Sequence, residues 1–233
     1  MKKIIILLLS IAIILNVYFI YKHYKNNQLC YETNTLPTLN EKKIDIIEGE
    51  HQNKIKIYFP YTKYKKLNKA IEAKMNYYIN DFKKYIVNRE IKPNQYYTLN
   101  INYDHYTYKH IISFVFFIET YTGGAHPNHD IWTINYNTNT NQFINIDNLA
   151  ENFPNFLNTI STLSKEKLQN NPKLGNTEYT VDMLTTGTNP TNKNFSNLAF
   201  SKEGLLVFFK HYQIAPYSSG AFIVKIPYNE LFN

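Results

Sequence analysis

His126 and His129 stand at i and i+3 in the run Tyr121-Thr122-Gly123-Gly124-Ala125-His126-Pro127-Asn128-His129-Asp130. With His105, His110 or His211, and Asp104 or Asp130, they offer the donor types of a zinc site. That spacing falls at a turn leading into a strand, where positions i and i+3 point to opposite faces, and no Cys or Glu completes a recognisable signature. The sequence therefore predicts no metal and no cofactor, and His126 reads as a turn residue whose ring bonds to local backbone. Ser218-Ser219-Gly220 is the other nucleophile candidate, but a hydrolase elbow needs Gly two residues to either side of one Ser, and residue 216 is Pro. No catalytic residue is assigned. Tyr212, Tyr217 and Tyr228 have the amphipathic rings of a carbohydrate-stacking platform, although in a chain with 21 Tyr ordinary packing is the plainer explanation. The binding candidates are Tyr121, Gly123, Gly124, His126, Tyr212 and Tyr217.

Those residues need a scaffold, and the hydrophobic periodicity supplies one. Ile44 and Ile46, then Ile55, Ile57 and Phe59, alternate on either side of a polar turn, as two half-buried strands joined in a hairpin do, with Pro60 ending the second. From Tyr64 to Val87 the period changes: Leu67, Ile71, Met75, Tyr78, Phe82 and Tyr85 recur at threes and fours, which predicts an amphipathic helix with a lysine-rich solvated face. Tyr97 to Tyr103 alternates again, and Ile111 to Ile118 is an aromatic, apolar run of strand length. Asp130 to Tyr136 returns beside it after the Gly123-Gly124 turn. Phe156, Leu157, Ile160, Leu163 and Leu168 mark a second helix; Thr185 to Asn194 is polar and reads as a loop. Leu198 to Phe200, Leu205 to Phe209 and Phe222 to Ile226 are three further strands. The expected fold class is α+β: an antiparallel sheet with two packed amphipathic helices, preceded by one transmembrane helix, without βαβ regularity.

The chain has seven Gly, so their placement carries information. Gly123 and Gly124 stand where the strand from Ile111 to Tyr121 must reverse, and His126-Pro127 forces extended backbone directly afterwards. Gly204 and Gly220 stand at the corresponding turns of the C-terminal segment.

The first 31 residues contain no Asp or Glu, and Ile4 to Tyr21 is interrupted only by Ser10 and Asn16. At helical rise the run covers roughly 27 Å, close to a hydrocarbon core. No small residues suited to cleavage follow it, and Cys30 is preceded by Gln28 and Leu29 rather than a lipoprotein motif. Residues 1–23 are therefore expected to be a single-pass anchor contacting the membrane through residues 4–21, with 24–40 a linker and 41–233 an extracytoplasmic domain. A split of that domain into 41–150 and 151–233 stays open. Positive charges flank the run on both sides, so orientation rests on the short leading end remaining inside. Removing Lys2, Lys3, Lys22 and Lys25 from the 25 basic residues leaves 21 against 18 acidic, a net +3. With Arg89 the only arginine, that balance argues against nucleic acid as a partner.

The run Tyr121-Thr122-Gly123-Gly124-Ala125-His126, together with Glu203-Gly204-Leu205 and Tyr212-Gln213-Ile214-Ala215-Pro216-Tyr217-Ser218-Ser219-Gly220-Ala221 through Ile226-Pro227-Tyr228, resembles the paired uncharacterised domains of the RsiV anti-sigma factor ectodomain. The same module is similar to the non-catalytic N-terminal region of PdaC peptidoglycan deacetylases, and the resemblance extends from about Ile44 to Leu231. It implies an extracytoplasmic, cell-envelope location. Only Met1, Lys2 and Lys3 precede the span, and no metal-binding deacetylase domain follows the module, so neither sigma-factor control nor deacetylation is expected. The resemblance implies a ligand that is cell-wall glycan or a wall-active protein such as lysozyme. Lysozyme is basic, and a domain of net +3 offers it no complementary charge. The expected role is a binding or sensing module rather than an enzyme; the alternative is a wall-polymer hydrolase or deacetylase-associated enzyme using His126.

Overall fold

The computed structural model describes residues 39–48, 53–87, 96–175 and 177–231. The expected span at 4–21 lies outside the described residues, as does the linker up to residue 38. Among the described residues no helix is long and apolar enough to cross a membrane.

Six strands form the larger sheet in chain order: β1 (Asn40–Glu48), β2 (Asn53–Tyr61), β3 (Thr98–Tyr108), β4 (Ile111–Tyr121), β5 (Asn128–Asn137) and β6 (Gln142–Ile144). Every neighbouring pair is antiparallel except β2 and β3. That pair is parallel because helix α1 (Lys65–Val87) crosses between them, so the wholly antiparallel sheet expected from the sequence is corrected to a mixed, antiparallel-dominated one. A helix of this length returns the chain to the starting end of β2, and only a parallel partner can begin there. Pro60 does not end β2; it pairs with Glu41 inside the strand. The β2–β3 register runs only from Lys54 to Ile57, so at Pro60 the missing N–H faces no ladder partner on that side.

Helix α1 buries Leu67, Ile71, Met75, Ile79 and Phe82 against Ile55, Ile57, Leu99, Ile101, Phe114 and Phe116 on one face of the sheet. Buried Asn68 locks its entry: Oδ1 accepts from the Thr62 backbone N–H at 2.8 Å and Nδ2 donates to the Thr62 carbonyl at 2.7 Å.

A second, three-stranded antiparallel sheet covers part of the opposite face: β7 (Leu198–Ser201), β8 (Gly204–Phe209) and β9 (Phe222–Ile226). Val115 and Ile131 of the large sheet meet Ala199, Leu206 and Phe208 of the small one. The outer edge of β7 is satisfied by side chains instead of a strand. The Leu198 N–H donates to Thr133 Oγ1 at 3.2 Å, the Phe200 N–H to Ser113 Oγ at 2.9 Å, and Asn135 Nδ2 donates to the Leu198 carbonyl at 3.0 Å. These three bonds explain polar residues at positions that are buried or nearly so, and they fix where the small sheet docks.

Helices α2 (Ile146–Asn152), α3 (Phe156–Gln169) and α4 (Glu178–Gly187) close the far side of the small sheet through Leu149, Phe156, Ile160, Leu168 and Leu184; a last short helix, α5 (Tyr228–Leu231), adds Leu231. The expectation of two helices is thus too few, and the expected loop at Thr185 to Asn194 begins inside α4. A short helix with Thr and Gly in its last turn carries too little periodic signal to be seen in sequence. Thr177 caps it, its side chain accepting from the Thr180 N–H.

Candidate functional site

Because the small sheet covers only part of the large one, a stretch of the β2–β3–β4–β5 surface remains open as a cleft of about 370 Å³. The strand period decides what faces it. On β3, Leu99 and Ile101 point to α1, so Asn100 and Asn102 point to the cleft; on β4, Phe117 and Glu119 do the same. Lys56 and Tyr58 form the β2 wall, while His129, His211 and Ala221 close the other end. Asn100 Nδ2 donates to Glu119 Oε1 at 3.0 Å, which orients the carboxylate. Glu119 and His129 lie directly opposite each other in the β4–β5 register.

The two glycine-bearing segments meet at this end. Gly123 and Gly124 have φ of 89° and 107°, the left-handed region that glycine reaches without strain, as the turn reading expected. Tyr121 Oη donates to the Gly124 carbonyl at 3.2 Å, so Tyr121 supports the turn backbone. The His126 Nδ1–H donates to the Pro127 carbonyl at 2.9 Å, the local backbone bond anticipated for it, and Tyr217 Oη donates to the same carbonyl at 2.9 Å. The Tyr217 ring stacks on His126 with centroids 3.8 Å apart and lies 5.5 Å from the ring of Tyr212. His211 and His129 stack at 4.9 Å and both adjoin Tyr217, at 4.9 and 6.0 Å.

The expectation that His126 and His129 point apart is therefore corrected: both rings converge on Tyr217. The opposite-face rule holds for consecutive strand residues, but β5 begins at Asn128, and the turn before it swings His126 back over the loop. Tyr228 is the candidate that goes elsewhere; it stacks on Tyr108 at 4.1 Å and donates to the Ser201 carbonyl. His126 stacks on Tyr217 and His129 on His211, the other ring contacts are tilted, and among the described residues no group of three or more His, Cys, Asp or Glu has the arrangement of a metal site.

The segment carrying His211, Tyr212 and Tyr217 follows β8 and is held by Gln213. Its Nε2 donates to the carbonyls of Gly187, at 3.1 Å, and Asn194, at 2.9 Å, while its Oε1 accepts from the Lys210 N–H. Ile214 and Ala215 are buried beneath, and Tyr212, at a left-handed φ of 63°, is 57% exposed. Gly220, φ 81°, then turns the chain into β9. Lys210 Nζ pairs with Asp130 at 2.6 Å, tying this segment to β5. Burial, then the charges of His129 and His126, hold the His211 pKa below its ordinary 6.5.

Sequence reasoning missed Lys56, Tyr58, Asn100, Asn102 and Glu119. The available signal was the polar half of the β3 alternation: a central strand whose second face is Asn-x-Asn has that face uncovered.

The turn predicts its own test. Nothing lies within 4 Å of a Cβ built on Gly124, so the cost of Gly124→Val is backbone strain alone, about 1–3 kcal/mol. Thermal denaturation of the full chain is expected to show that loss. Wild-type melting in the variant would show that the turn tolerates a β-branched residue and that this glycine is there for another reason.

The architecture and the cleft define an α+β module whose antiparallel-dominated sheet leaves one face partly open. Residues 24–129 match the family model described as deacetylase PdaC, and residues 146–229 match that described as a protein of unknown function, DUF3298. These matches support a PdaC-type domain family; the resemblance to the RsiV ectodomain is not among what they support. Over 119 residues the chain is 29% identical to the peptidoglycan-N-acetylmuramic acid deacetylase PdaC of Bacillus subtilis, covering 50% of this chain and 25% of that protein. The chain thus spans about a quarter of the length of this curated relative. The crystal structure of a DUF3298 family protein from Pseudomonas aeruginosa superposes with a TM-score of 0.57 at 15% identity, over 83% of this chain and 92% of that one. A DUF3298 family member from Bacteroides fragilis gives a TM-score of 0.52 at 16% identity, with the same coverages. Those two likenesses concern the fold.

Proposed function

We propose that this chain is a membrane-anchored, extracytoplasmic module that binds cell-wall glycan in the cleft. The observation that carries this reading is the convergence of the two glycine-bearing segments, through Tyr217, at the end of a groove floored by Asn100, Asn102 and Glu119 and walled by Tyr58. Planar amides and a carboxylate match sugar hydroxyls and acetamido groups, and tyrosine faces match the apolar faces of pyranose rings. The partial likeness to a peptidoglycan deacetylase supports a wall polymer over other saccharides. His126 has one nitrogen bonded to its own turn and one face covered by Tyr217, which is the situation of a positioning residue.

The full chain, purified in mild detergent, is expected to co-sediment with purified peptidoglycan sacculi. Asn102→Ala and Tyr58→Ala should each weaken that binding on the order of tenfold, the worth of one hydrogen bond or one stacked ring. Release of soluble muropeptides by the wild type, abolished in a folded His126→Ala variant, would instead establish the enzyme reading.

The topology has its own measurement. A membrane-impermeant thiol reagent is expected to label Cys30 in intact cells once any outer barrier is permeabilised, because Cys30 follows the span on its outer side. Labelling only after lysis would put the domain in the cytoplasm and remove the wall from its reach.

A further inference from the structure

We propose that the cleft selects a singly charged anionic substituent on its saccharide, seated where His129 and His211 stack, with Lys56 on the facing wall. This rests on the reading of the cleft as a glycan site and adds what chemistry it distinguishes. The argument begins with the fixed charges. Two carboxylates line the cleft, and both are already engaged: Glu119 by the Asn100 amide and Asp130 by Lys210. Lys210 is paired with Asp130, so Lys56 and the histidines are the cleft groups that offer positive charge to a ligand.

His129 and His211 lie with ring centroids 4.9 Å apart and nearly parallel, and His126 stands beyond Tyr217 in the same row. Burial, and then the repulsion between imidazolium rings at that separation, hold the His211 pKa below its ordinary value, so the free protein disfavours the charged form of this ring. An anion placed against the pair removes the repulsion and favours the protonated form, so binding takes up a proton. A carboxylate or a phosphodiester carries the single charge this requires; a more highly charged group would meet Glu119 and Asp130. Tyr217 packs against both histidines, and Tyr212 packs against Tyr217.

The test is calorimetry on the full chain in mild detergent, at about pH 7.5 and about pH 5.5, which bracket the histidine range. Three probes are compared: a neutral GlcNAc tetrasaccharide, a GlcNAc–MurNAc tetrasaccharide with free lactyl carboxylates, and a glycerol-phosphate oligomer. The carboxylated tetrasaccharide is expected to bind on the order of tenfold tighter at the lower pH, with proton uptake seen as a buffer-dependent heat, while the neutral one changes little. His211→Gln should abolish the pH dependence of binding to the carboxylated sugar. Lys56→Gln, at an exposed position that does not threaten folding, should weaken the carboxylated sugar at both pH values. Binding of the glycerol-phosphate oligomer in place of the muramyl sugar, with the same pH dependence, would overturn the saccharide-borne anion and give the histidine pair to a phosphodiester instead. Equal, pH-independent affinity for the neutral and carboxylated sugars would overturn this inference and leave the glycan reading standing. Binding of none of the three would overturn both.

Discussion

Gly187→Ala is expected to destabilise the protein by about 3 kcal/mol, lowering its melting temperature on the order of 10 °C. The sign is what makes the result informative. In a helix, Ala is better than Gly by about 1 kcal/mol, so local propensity at the last residue of α4 predicts a gain. Tertiary packing predicts the reverse. A Cβ on Gly187 would stand 2.0 Å from the Gln213 carbonyl oxygen and 2.7 Å from Ile214 Cγ2, and backbone cannot yield as the end of a flexible side chain does. The same approach lets Gln213 bond the Gly187 carbonyl, so the variant should also displace the segment bearing His211, Tyr212 and Tyr217. Loss of sacculus binding is expected to exceed what the unfolded fraction explains. Melting at or above the wild-type temperature would mean that α4 and this segment are not held together, and the positioning role given to Gln213 would fall.

Phe208→Ala is expected to cost about 3–5 kcal/mol, because the ring is 1% exposed between the two sheets and its removal leaves a cavity that two rigid sheets cannot collapse around. Phe208 belongs to the cluster formed by Val115, Ile131, Ala199 and Leu206, with Phe117 packed against it. Ile131 and Phe117 also line the cleft, so the stability of the sheet interface and the shape of the site draw on the same side chains. Denaturant unfolding measures the first and sacculus binding by the fraction still folded measures the second; both should fall. Ile223→Ala is the control. It is opposite Phe208 in the β8–β9 register but 56% exposed, and should change stability by no more than about 0.5 kcal/mol. A small effect at Phe208 would show that the small sheet is not docked through this cluster.

Much of the scaffold is legible in the sequence itself. Ile55 and Ile57 alternating with lysines, Leu67, Ile71 and Met75 at helical spacing, and the aromatic run from Ile111 to Ile118 each encode an element, because an apolar face must be buried and its period names the structure that can bury it. The turn at Gly123-Gly124 was equally legible, since few residues other than glycine reach the backbone angles needed there. His126 bonding its own turn followed from the local chain alone.

Other features required the assembled molecule. That β3 joins β2 in parallel, that β7 is bonded by Ser113, Thr133 and Asn135, and that Tyr217 settles between His126 and His211 are contacts between residues far apart in sequence. No local pattern distinguishes them from their alternatives. The cleft itself belongs to the same class. Asn100 and Asn102 declare in sequence only that one face of β3 is polar; whether that face meets bulk water or a walled groove depends on how far the small sheet reaches across it. Hydrophobic periodicity is a property of neighbours along the chain and so determined the elements, whereas the site is made of surface left over when sheets of unequal width are packed together, and only the tertiary structure decides where that surface lies.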